Sequence, residues 1–89
     1  MIDINELTNH GLKIVVLDNG FVYVGNVVTT ARWITITNAR NIRRWGTSEG
    51  LGELAKGPLP ETILDEVGKV TAPLRNLQHL IDVKAEKWN

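Results

Sequence analysis

Residues 12–28 read LKIVVLDNGFVYVGNVV, and this stretch decides the fold class. Two runs rich in β-branched and aromatic residues flank Asp18-Asn19-Gly20. Asn-Gly is favoured there because a hairpin turn that matches the strand twist needs positive φ at its central residues. The stretch is predicted as a strand over 12–17, a tight turn, and a strand over 21–28. Along the second strand Phe21, Tyr23 and Val27 point one way, and Val22, Val24 and Val28 point the other. A strand apolar on both faces is either covered on both sides or lies in a subunit interface, and the second option predicts a homo-oligomer. Gly25 interrupts the strand, as glycines do at bulges and at the sharp bends of small barrels.

Upstream, residues 3–9 have the signature of a short helix, with Asp3 as N-cap, Glu6 at the capping-box position and Gly11 beyond the end. Downstream, residues 29–31 form a turn and RWITIT (32–37) alternates as a third strand. The segment SEGLGELAK (48–56) reads as a short helix with Leu51, Leu54 and Ala55 on one face, closed by Gly57-Pro58. Gly50 and Gly52 each cost it about 1 kcal/mol relative to alanine, so tertiary contacts must hold it. Then come a strand over 62–64, a turn over 65–68, a strand over 69–72, one tight helical turn over 73–76 and a last strand over 78–84. This order predicts a mainly β (α+β) chain. The expected form is a small five- to six-stranded barrel-like domain, Sm-like or Src-homology-type, with a short inserted helix. Closure would remove the exposed edges that invite aggregation. An open twisted sheet capped by the 48–56 helix is the alternative.

A chain of 89 residues cannot bury two cores, so residues 1–89 are read as a single domain. There is no cysteine, which excludes disulfides and thiolate zinc sites and suits a reducing interior. The start, MIDINELTNHG, lacks the basic and apolar runs of a signal peptide, and no apolar stretch approaches the roughly 20 residues of a membrane helix. The expected location is the cytoplasm, with no membrane partner. His10 and His79 are isolated, so no metal site is expected, and no cofactor-binding loop is present. No nucleophile has a base beside it, so the chain is not read as an enzyme.

Formal net charge is zero, yet no acidic residue occurs between Asp18 and Glu49, where Arg32, Arg40, Arg43 and Arg44 all fall. These arginines either pair with carboxylates elsewhere in the fold or form a positive stripe. Such a stripe on a neutral chain suits a compact anion better than long nucleic acid. The sharpest candidate site is RNIRRWGTS, residues 40–48. Arg40, Arg43 and Arg44 would offer forked donors to phosphate, and Trp45 a stacking face for a base. Gly46 would let a ligand approach the backbone, and Thr47 or Ser48 would cap the following helix or donate a hydroxyl. The plainer alternative makes Trp45 a core residue and Thr47 or Ser48 merely a cap. Trp33 is expected to pack on its strand face, and Trp88 to pack back onto the domain or against a neighbouring subunit.

The run "YVGNV" followed by "ITITNARNIRRWGTSEGLGELAKGP" resembles a family of small proteins encoded by bacteriophages and prophages. The elements that carry the resemblance are Ala39-Arg40, Arg43-Arg44-Trp45, and the L-x-E-L-A turn at Leu51, Glu53, Leu54 and Ala55. The resemblance implies a phage setting and, for location, the host cytoplasm; it implies no particular chemistry. Small phage proteins of this size often block host defence, some by sequestering nucleotide second messengers in oligomeric pockets. The first functional expectation is therefore a phage-encoded, non-enzymatic oligomer that captures an anionic nucleotide or cyclic nucleotide. The second is a structural or interaction protein that binds a phage or host protein through the apolar strand. The third is an Sm-like single-stranded nucleic-acid binder, which zero net charge disfavours.

Overall fold

The computed structural model describes residues 7–88. The strands β1 (Thr8–Leu17), β2 (Val22–Thr29), β3 (Trp33–Arg44), β4 (Ile63–Pro73) and β5 (Leu77–Asp82) form one five-stranded sheet in the order β4-β3-β2-β1-β5. Every neighbouring pair is antiparallel. Three short 3-10 helices, Leu51–Lys56, Leu74–Asn76 and Ala85–Lys87, complete the described elements. The chain is mainly β, as the alternating pattern required.

The β1–β2 hairpin forms where expected, with a different turn. Gly20 N–H donates to Leu17 O and Leu17 N–H to Phe21 O, each at 3.0 Å. Gly20 has φ 89° while Asn19 does not enter the positive region. The loop is therefore Asp18-Asn19-Gly20 closed by a left-handed glycine, and Asn19 Oδ1 accepts the Phe21 N–H at 3.0 Å. Of the helix expected over residues 3–9, residues 3–6 lie outside those described. Thr8 and Asn9 already belong to β1, paired with Thr29 and Val28. Gly11, expected to end that helix, sits at a register shift inside the strand.

β3 runs well past the expected end at residue 37. Asn38 adopts φ 51° and the register against β4 shifts between Ile36 and Ala39, so the polar interruption is a bulge. The bulge changes which residues face inward: Ile34, Ile36 and Ala39 share one core, whereas Ile42 joins the other. β4 is likewise one strand. The turn expected over 65–68 is absorbed as a second irregularity, with Gly68 (φ 95°) opposite Ala39.

Both faces of the sheet are covered. Val15, Leu17, Tyr23, Val27, Ile34 and Ile36 build the first cluster, and Ile14, Val22, Val24, Ile42, Leu54 and Trp88 the second. Neighbours in sequence fall into different clusters because side chains alternate along a strand. The first 3-10 helix and the C-terminal turn cover the second face: Lys84 N–H donates to Ala55 O at 2.9 Å, and the Trp88 indole N–H to Leu54 O at 2.9 Å. The two-faced apolar strand is thus covered on both sides within one chain, the first of the two options its pattern left open.

The two edge strands are consecutive in sequence, joined only by Leu74–Asn76. In a flat sheet four strand spacings would separate β4 from β5 by about 19 Å. A three-residue 3-10 turn advances the chain by only about 8 Å. The sheet must therefore curl at this end, and Leu74 and Leu77 pack into the first cluster. Leu74 N–H donates to Arg32 O and Asp18 N–H to Asn76 O, both at 2.8 Å, which tie the connector to two turns of the sheet. No β4–β5 pairing occurs among the described residues, so the sheet is curled and not closed.

Candidate functional site

The RNIRRWGTS segment lies on the second half of β3 and the loop after it, and the fold sends its side chains to different places. Arg40 turns toward the second core, donating from Nη2 to Trp88 O at 2.8 Å with its guanidinium 5.7 Å from the Trp88 ring centre. Its charge is held over an aromatic face, a contact worth about 0.5–2 kcal/mol. Arg43 donates from Nε to Asp65 Oδ2 at 2.8 Å across the β3–β4 ladder. Arg44 is exposed and makes no ion pair among the described residues.

Trp45 is exposed, and its carbonyl accepts the Thr62 hydroxyl at 2.7 Å. Gly46 adopts φ 69° and lies directly against the Glu61–Thr62 backbone. Its missing Cβ therefore serves the chain's own close approach, a use the expected opening to a ligand did not include. No side-chain cap begins the first 3-10 helix, whose N-cap is Gly50. The Glu53 carboxylate accepts the Ser48 N–H at 2.9 Å, the Ser48 hydroxyl at 3.4 Å and the Glu49 N–H. The anion at these N–H groups is the chain's own, so neither Thr47 nor Ser48 acts as the expected cap. The helix expected over residues 48–56 is only the six-residue 3-10 helix Leu51–Lys56, too short for the dipole of an α-helix.

A second constellation sits at the opposite end of β3. Arg32 and Trp33 enter the strand, and the β3–β4 register sets Trp33 opposite Pro73. Ala31, Leu74 and Arg75 complete an open groove of about 640 Å³. Trp33, expected to be packed, is 50% exposed. Arg32 and Arg75 are both exposed and make no ion pair among the described residues. The sequence placed Arg32 in the stripe and Arg75 in the single helical turn. Their juxtaposition needs the Trp33–Pro73 pairing, for which no local signal exists. An Arg-Trp dipeptide whose indole reaches solvent therefore straddles each end of β3.

Elsewhere, His10 Nε2 lies 2.8 Å from Thr29 Oγ1, and no three His, Asp or Glu side chains converge on a metal position among the described residues. The Lys13 ammonium, 2.6 Å from Asp82 Oδ1, holds that carboxyl below its ordinary pKa by its hydrogen bond and then by its charge. No helix among the described residues is long and apolar enough to cross a membrane. No family model, curated protein or solved structure matches this chain.

Proposed function

We propose that this chain is a phage-encoded, non-enzymatic binding protein that captures a small anionic, nucleotide-derived ligand and so withdraws a host defence signal. The observation that carries the reading is the adjacency of solvent-facing indoles to guanidinium groups that make no ion pair among the described residues, at Arg32-Trp33 and Arg44-Trp45. Guanidinium forks match phosphate oxygens and indole faces match bases. The phage setting and the host cytoplasm rest on the resemblance of residues 23–58, and the cysteine-free composition is compatible with a reducing compartment. The architecture we propose is a small Sm-like or Src-homology-type barrel. Its support is β1 paired to both β2 and β5, with a 3-10 turn joining the two edges.

The alternative, a partner protein docked on the apolar strand, has lost its premise, because Val22, Tyr23, Val24 and Val27 are buried within the chain. Support for a homo-oligomer is now limited to scattered exposed apolar side chains such as Phe21 and Val67. Single-stranded nucleic acid ranks lower at zero net charge, since phosphate neutralisation supplies most non-specific affinity. Isothermal calorimetry against nucleoside mono-, di- and triphosphates and cyclic mono- and dinucleotides tests the proposal. At least one is expected to bind at micromolar concentration, and light scattering on the same samples reads the oligomeric state. A chain that binds none of them refutes the function.

A further inference from the structure

We infer that the ligand site is the groove between the β2–β3 turn and the Leu74–Asn76 turn, and that it takes a nucleoside phosphate. The base would lie on Trp33 and the phosphate between Arg32 and Arg75. The inference rests on the ligand class proposed above and moves the site away from the RNIRRWGTS segment.

The first ground is a pre-shaped wall. Thr30 N–H donates to Trp33 O at 2.9 Å, and Thr30 Oγ1 accepts the Trp33 N–H at 3.1 Å. Leu74 N–H donates to Arg32 O at 2.8 Å, so the two sides of the groove are hydrogen-bonded to each other. Trp33 and Pro73 are partners in the β3–β4 register. A ligand entering here need not order a loop, which removes a main cost of binding.

The second ground is chemistry left unused by folding. Ile34 and Ile36, the inward neighbours of Trp33 on β3, are fully buried, whereas the indole stays half exposed. The fold thus has no packing use for half of this large ring. Arg32 and Arg75 supply two guanidinium groups, and none of the groove-lining residues is acidic. At the other end of β3 Arg43 is bound to Asp65, and its neighbour Arg44 makes no ion pair among the described residues. At the Trp33 end, by contrast, two arginines that make no ion pair among the described residues line one groove, as a phosphate would require.

The third ground is size. The groove, about 640 Å³, falls in the range that holds small molecules and cofactors. A longer nucleic acid laid along β4 would run from the groove toward Asp65 and Glu66 and be repelled. A mononucleotide or one half of a cyclic dinucleotide meets no such barrier.

The test is calorimetry of the full chain with AMP, GMP, cyclic di-AMP and cyclic di-GMP, with adenosine and inorganic phosphate as the separated halves. The wild type is compared with Arg32→Ala, Arg75→Ala and Arg44→Ala. Both groove variants should weaken the tightest nucleotide by roughly ten- to a hundredfold, the usual loss of one charge-assisted pair, and Arg44→Ala should leave it unchanged. Adenosine and phosphate should each bind more weakly than AMP. In the nitrogen–proton NMR spectrum the Trp33 indole signal should move on titration while that of buried Trp88 stays. If a nucleotide binds and Arg44→Ala abolishes it with both groove variants intact, the groove is wrong and the ligand class stands. If no nucleotide binds the wild type at millimolar concentration, the ligand class falls as well.

Discussion

Replacing Gly46 by alanine decides whether this glycine serves the chain's own backbone or an incoming ligand. At φ 69° a Cβ costs about 1–2 kcal/mol by its clash with the following carbonyl. The same Cβ would lie 2.7 Å from both Glu61 O and Thr62 N, and against Glu61 C. Those are backbone atoms of a segment held by Thr62 Oγ1 to Trp45 O at 2.7 Å and by Thr62 N–H to Leu59 O at 3.0 Å. They cannot swing aside like the end of a flexible side chain, so overpacking adds about 1–3 kcal/mol. Alanine also narrows the unfolded ensemble, which offsets about 0.4–1 kcal/mol. The expected net loss is about 2–4 kcal/mol, or roughly 8–30 °C in Tm for a domain of this size. Gly11→Ala is the matched comparison, with φ 77° and nothing within 4 Å of its Cβ. It should lose no more than about 1.5 kcal/mol, from backbone strain alone. Urea unfolding followed by far-ultraviolet circular dichroism reads both variants at a common slope. If Gly46→Ala costs no more than Gly11→Ala, the Glu61–Thr62 backbone does not lie against Gly46. That glycine would then be open to a ligand after all.

Two further outcomes follow from the second core and from one surface pair. Trp88→Phe removes the indole donor to Leu54 O, but that carbonyl still accepts the Gly57 N–H at 3.0 Å, so the loss should stay near 1–3 kcal/mol. Trp88→Ala should cost about 3–5 kcal/mol in the same unfolding assay, and equal losses for the two variants would show that the ring is not packed. Asp82 should titrate below the ordinary carboxylate range, because Lys13 favours its charged form. A depressed folded pKa contributes stability above the ordinary value, and that contribution disappears as pH falls through the folded value. Carboxyl NMR should show the Asp82 midpoint rising in Lys13→Met, and an unmoved midpoint would exclude the pair as its cause.

Much of the strand layout was legible because its causes are local. Asn19-Gly20 between β-branched runs makes a hairpin by turn chemistry and side-chain alternation alone. Pro73 followed by Leu74, Arg75 and Asn76 was readable as a single helical turn, and Gly57-Pro58 as a stop. Bulges were harder. Asn38 and Gly68 look like strand ends in sequence, yet each is carried through a continuous strand because the neighbouring strand supplies hydrogen bonds on either side. Ending the third strand at residue 37 left the RNIRRWGTS segment outside it, leading into a helix, where its arginines and N–H groups would share one ligand. On a strand, successive residues face opposite ways, and Arg40 and Arg43 each found an internal partner.

By itself the sequence determined the strand-rich class, the first hairpin, and the supply of arginine and tryptophan without nearby carboxylates between Asp18 and Glu49. All of these depend on neighbours a few residues apart. Which arginines stay free, and which tryptophan faces solvent, was decided only by tertiary structure. Arg43 meets Asp65 from 22 positions away, Arg40 meets Trp88 from 48, and Trp33 meets Pro73 through strand register. A one-residue change in that register would turn each side chain to the other face, and no local pattern specifies it at a bulge. The same cause settled the two-faced strand β2. Its second covering comes from Leu54 and Trp88, both distant from it in sequence.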